Sequence, residues 1–154
     1  MYNQCMLVDE LQNKMFIAMK AAEKTRADTL RGLISELKNT QIDKPNMNEA
    51  DEIAVVRREV KKRKDSIDIY SKAGRQDLVD AETAELTILE ELLPAEMNEG
   101  DLESIVHEAI IYMKADSIGD MGRVMGEVMK RVEGKASGDR VAALVKEKLT
   151  KGNV

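Results

Sequence analysis

The sequence predicts an all-α protein, with an N-terminal helical subdomain containing a long antiparallel hairpin and then a C-terminal three-helix bundle. Three observations lead there. Aromatic residues make up only 3% of the 154 residues and Trp is absent, so the side chains that favour sandwiches and barrels are scarce. The apolar content comes from Leu, Val, Ile, Ala and ten Met set among abundant Glu and Lys, a helix-forming mixture. Apolar residues also recur at helical spacing along nearly the whole chain. No substantial sheet is expected. A chain of this length suits one domain or two small helical ones, each of the latter individually marginal.

The elements follow in order. Leu7, Leu11, Met15, Ala18 and Met19 give a first amphipathic helix, ending near the polar Glu23-Lys24-Thr25-Arg26 stretch. A second helix follows at once, with Leu30, Leu33, Ile34, Leu37 and Gln41 on its face, and the run up to Pro45 stops it because proline cannot continue a helix. Asn48 with Asp51 reads as an N-cap opening a long third helix, and Glu49, Asp51 and Glu52 complement its dipole. Its stripe of Ile53, Val56, Val60, Ile67 and Tyr70 is sparse, so aliphatic stems of charged side chains have to pack there. Gly74 ends it in the left-handed conformation.

Asp77 then caps a fourth helix carrying Leu78, Ala81, Leu86, Ile88, Leu89, Leu92 and Leu93, and helices three and four should pair as a hairpin. Pro94 is the strongest boundary, dividing the chain into 1–95 and 96–154. Asn98 caps a fifth helix bearing Leu102, Ile105, Val106, Ala109, Ile110 and Met113. Ser117 with Asp120 has the form of a capping box opening a sixth, on which Met121, Val124, Met125, Val128, Met129 and Val132 keep period. Gly134 to Gly138 is a loop, Ser137 a cap, and Val141, Leu144, Val145 and Leu149 face a seventh helix inward.

Charge is unevenly spread. The net value is −5, yet residues 76 to 113 contain eleven acids and no Lys or Arg, leaving 24 bases against 18 acids elsewhere. A polyanion would therefore meet the basic ends rather than the acidic middle; the alternative is an ordinary solvated helical surface. The single Cys5 cannot form an internal disulfide, no apolar run approaches the length of a membrane span, and the N-terminus carries neither a signal core nor an Arg-rich leader. These features predict a cytoplasmic protein away from membranes.

Few residues suggest chemistry. His107 is the sole histidine, too few for the usual metal sites, and reads as a partly exposed structural residue rather than a general base. Cys5 has no basic partner in view to make it a nucleophile. The glycine-rich runs at Gly119 to Gly126 and Gly134 to Gly138 match neither nucleotide-binding order and follow no strand. Carboxylates on helix four lack the Glu-x-x-His pairs of a di-metal bundle. No catalytic residue, cofactor or metal is expected.

Binding candidates are better supported. Arg57 to Lys64 holds six cations in eight residues, with Arg58 and Lys62 on one face beside Lys61, a ridge that can follow a phosphate backbone. The competing account is pairing with Glu85, Glu90 and Glu91 across the hairpin. Gly122 and Gly126 each cost a helix interior about 1 kcal/mol relative to Ala, which close approach by helix five or seven would explain, as would a groove for a partner's backbone. Arg123, Lys130, Arg131, Lys135 and Arg140 cluster on the same helix and loop. The stripe of Met121, Met125 and Met129 reads as core, or alternatively as an adaptable partner surface.

Asp120-Met121-Gly122-Arg123-Val124-Met125-Gly126, then Met129, Gly134-Lys135-Ala136 and Gly138, resembles the C-terminal signature of the YqeY family, in the wider group shared with the tail of the amidotransferase subunit GatB. Lys62 to Ser66, Ala73 to Leu78 and Leu92-Leu93-Pro94 are similar to that family in the same order, so the likeness covers nearly the whole chain. Lys130 stands where the family often has Pro, Lys135 where it has Arg, and Ser137 where it has Asp; Lys for Arg keeps the charge and loses the bidentate fork. The resemblance implies an accessory protein without a catalytic centre, binding tRNA or a tRNA-amidotransferase or synthetase complex. A helical protein-interaction module is the alternative, and a glutamine-dependent carbon-nitrogen ligase comes last.

Overall fold

A computed structural model describes residues 6–151 as seven α-helices with one short 3-10 turn, and no strand occurs among them. Cys5 lies outside the described residues. The chain divides into two compact units, Met1–Leu93 and Pro94–Val154, each with its own core.

In the first unit, α1 (Met6–Lys20) and α2 (Lys24–Asp43) are separated by a three-residue turn. The turn closes as Glu23 N–H donates to the Ala18 carbonyl at 2.9 Å while Ala22 sits at φ 58, the geometry that normally selects glycine. Lys24 to Arg26 therefore form the first turn of α2 and are no part of the end of α1. Leu11 and Ala18 face inward as the spacing requires, but Met19 is 49% exposed, and Val8, outside the expected stripe, is buried. On α2, Leu30, Leu33, Ile34 and Leu37 are buried.

Asn48 opens α3 (Glu49–Lys72) with a reciprocal capping box, accepting from Asp51 N–H at 2.9 Å while its own N–H donates to Asp51 Oδ2 at 3.0 Å. Gly74, at φ 69, closes the other end, with Arg75 N–H bonded to the Tyr70 carbonyl at 2.9 Å. The expected cap at Asp77 is replaced: Arg75 occupies the cap position of α4 (Gln76–Glu90) without a side-chain cap bond, and Asp77, one residue inside the helix, binds the Arg75 guanidinium instead. Helix α4 buries Ile88 and Leu89 but leaves Ala81 exposed. Two acids lie on the buried side of α3: Glu52, at the dipole-favoured N-terminus, and Glu59.

The second unit packs α5 (Glu99–Tyr112), α6 (Met121–Val132) and α7 (Gly138–Thr150) around Leu102, Val106, Ile110, Val124, Val128 and Val145. Asn98 and Ser137 cap α5 and α7, accepting from Asp101 N–H at 2.8 Å and Arg140 N–H at 3.4 Å. The Ser117–Asp120 capping box does not form. A 3-10 turn, Ile118–Asp120, intervenes, and the Asp120 carboxylate accepts from Asp116 N–H at 3.1 Å instead. The methionine stripe of α6 lies at the edge of the core: Val124, Val128 and Val132 are buried, Met121 and Met125 pack half-buried against them, and Met129 is 36% exposed. The α6–α7 loop turns sharply at its start, where Glu133 sits at φ 49 and Gly134 at φ 79.

Candidate nucleic-acid interface

With its valines turned inward, α6 presents Gly122, Arg123, Gly126, Met129 and Lys130 to solvent. A Cβ added at Gly122 or Gly126 would meet nothing within 4 Å. Close approach by α5 or α7 is therefore not what these glycines serve. They leave a strip of helix backbone open to whatever lies outside.

The cations around this strip differ in availability. The Arg123 side chain is 56% exposed and its Nη2 reaches Asp120 Oδ1 at 2.6 Å; that bond, joined by the Asp116 N–H, holds the Asp120 carboxyl below its ordinary pKa. Lys130 is exposed, and its side chain has no hydrogen bond or ion pair among the described residues. Lys135 is exposed too; its backbone is engaged, the carbonyl accepting from Met97 N–H at 2.7 Å, while its ammonium has no partner among the described residues. Arg131 turns away toward α5, with Nε 3.0 Å from Glu127 Oε1, Nη1 3.5 Å from Glu108 Oε2, and the guanidinium 5.3 Å from the Tyr112 ring centre. Arg140 is held by Glu96, Glu99 and the Met97 carbonyl at 2.7, 3.0 and 3.0 Å. Hydrogen bonding to Glu99, with Glu96 adding to it, raises the Arg140 pKa above its ordinary value.

The α3 ridge splits by face. Arg63 Nε lies 2.7 Å from Glu85 Oε2 and 3.7 Å from Glu82 Oε2, close enough for charge pairing though not aligned as a hydrogen bond, and Lys64 lies 3.6 Å from Glu90. Glu91 takes a different partner from the one expected, Arg26 of α2 at 2.8 Å, because the end of α4 lies beside the start of α2. On the outer face Arg58 donates to Thr40 Oγ1 at 3.2 Å, Lys62 pairs with Glu59 at 2.9 Å, and Lys61 is exposed without a partner among the described residues. Sequence reasoning missed the Arg26–Glu91 pair, since nothing local links residues so far apart. Glu59, three residues before Lys62, was the available signal for the pair within α3.

His107 is exposed on α5. Among the described residues no three His, Cys, Asp or Glu side chains come together in a way that could hold a metal ion. No described helix is long and apolar enough to cross a membrane.

Fold and surface together define an all-helical protein with an open, cation-flanked helix face. The chain belongs to the YqeY family: the family model, described as Yqey-like protein, matches residues 8–149. It is 26% identical over 134 residues to a Pyrenophora tritici-repentis protein named Altered inheritance of mitochondria protein 41, mitochondrial, covering 84% of this chain and 73% of that one. A Kluyveromyces lactis protein of the same name is 40% identical over 76 residues, 47% of this chain and 40% of the relative. An uncharacterized Schizosaccharomyces pombe protein is 32% identical over 85 residues, 54% and 69% respectively.

These names overturn the cytoplasmic expectation, because the relatives from Pyrenophora, Kluyveromyces and Lachancea thermotolerans are named as mitochondrial. That expectation rested on one cysteine and on the residues at the N-terminus. A lone thiol does not separate one reducing compartment from another.

Proposed function

We propose that this chain is a nucleic-acid-binding accessory protein, with tRNA as its ligand and no catalytic centre of its own. The observation that carries the reading is the open strip of α6. Gly122 and Gly126 have nothing above them, and Arg123, Lys130 and the following Lys135 flank the strip with positive charge. A polyphosphate backbone can approach such a surface closely and pair with its cations, releasing counterions as it binds. The likeness to the GatB tail is what makes tRNA the first nucleic acid to test. The relatives' mitochondrial names make mitochondrial tRNA the second.

The test is a mobility-shift titration with tRNA at several salt concentrations. Wild type should bind at low salt, and replacing Arg123, Lys130 and Lys135 together with Gln should reduce the slope of log affinity against log salt by about 2 to 3. Absence of binding by wild type at low salt ends the reading. An unchanged slope in the triple variant moves the site elsewhere, with Arg58, Lys61 and Lys62 next in line.

A second reading has support from the same glycines, since a helix backbone approaches another most closely over small residues. On that reading a partner protein's helix lies on α6. Its mark would be a complex that survives nuclease and is lost in Gly126→Leu.

A further inference from the structure

Arg140 stands apart from the other candidate cations because the hydrogen bonds of its side chain all run to one short segment. Nη1 donates to Glu96 Oε2 at 2.7 Å, while Nη2 donates to the Met97 carbonyl and to Glu99 Oε1, both at 3.0 Å. Met97 closes the arrangement from its other side, its N–H donating to the Lys135 carbonyl at 2.7 Å. The residues just after Pro94 are thus pinned at two points, to the loop that carries Lys135 and to Arg140 in the first turn of α7. Both segments lie within the second unit.

We propose that Glu96, Glu99 and Arg140 form a latch that holds the segment after Pro94 on the start of α7, beside the Lys135 loop, and, while closed, withholds Arg140 from polyanions. Charge-assisted bonds to two carboxylates are strong, and a phosphate can take the guanidinium only by displacing them. Arg140 is then a positioning residue in the closed state and an additional phosphate ligand once released. The withholding part rests on the tRNA-binding reading; the holding part does not.

Two variants of the full chain test this, Arg140→Gln and the double variant Glu96→Gln with Glu99→Gln. Hydrogen exchange at the Met97 amide should quicken roughly tenfold or more in both, the size expected when bonds to a charged group are lost. The salt slope of tRNA binding should stay at the wild-type value in Arg140→Gln and steepen by about 1 in the double variant, because a freed arginine adds one phosphate contact. Unchanged Met97 exchange in both variants overturns the latch. A shallower slope in Arg140→Gln overturns the withholding, since it would mean Arg140 already touches the ligand. If wild type binds no tRNA, the function reading falls, and Met97 exchange alone then decides the latch. Circular dichroism of each variant separates a released latch from an unfolded unit.

Discussion

Gly126 illustrates how a single residue can be read against its surroundings. Glycine in a helix interior costs about 1 kcal/mol relative to alanine, and at this position a methyl group would meet no other atom. Gly126→Ala should therefore raise stability by about 0.5–1 kcal/mol in denaturant titration, and Gly122→Ala, in the first turn of α6, by less, while both weaken tRNA binding. A loss of stability in either would contradict the open face. The oddity of these glycines was visible in the sequence; which of its two explanations applied was not, because that depends on what faces them across space. Left-handed residues show the converse. Gly74 announced its φ of 69, but Ala22 at 58, Lys114 at 52 and Glu133 at 49 carry no such signal. Lys114→Gly, which removes a steric cost without touching the core, should stabilise the second unit by up to about 1 kcal/mol.

Helices were the most legible level, and their ends the least. Asn48 and Asp51 formed the capping box their spacing suggested, whereas Ser117 and Asp120, spaced identically, did not, since a 3-10 turn stands between them and α6. On α6 the valine and methionine rows have the same four-residue period and lie side by side. Periodicity shows that one stripe is buried without choosing which row is central, and packing against α5 and α7 selects the valines.

The α3 cap also yields a pH dependence. Asp51 accepts from Lys44 Nζ at 2.6 Å and from Asn48 N–H at 3.0 Å, and these bonds hold its pKa below the ordinary aspartate value. The bonded form is the ionised one. Its contribution is therefore complete above the unfolded pKa of about 3.9 and is lost as pH falls through the lower folded value. Thermal midpoints should fall below about pH 4, and Asp51→Asn should lower the neutral-pH midpoint while making the acid decline shallower. An identical acid decline in wild type and variant would exclude this carboxylate as a contributor.

The whole molecule holds two separate hydrophobic cores, and their independence is measurable. Leu37 in the first and Leu102 in the second are both 0% exposed, so truncating either to Ala should cost about 2–5 kcal/mol. Hydrogen exchange in Leu102→Ala should quicken across Pro94–Val154 and leave Met1–Leu93 near wild type. Equal acceleration throughout would mean that the chain unfolds as one cooperative body. At this scale the all-helical class was legible from composition and period alone. Compartment was not: it is set by targeting information, whereas the composition of a folded domain reflects mainly its core and its surface.

Met129 gives the open face of α6 a built-in chemical reporter. Its thioether is 36% exposed one turn from Gly126, whereas Met47 is only 7% exposed in the other core. A mild peroxide pulse should convert Met129 to the sulfoxide well before Met47, because oxidation follows access to the sulfur. Any partner that covers the glycine strip should slow that conversion, so a mass shift on one peptide can follow occupancy of this face without a label.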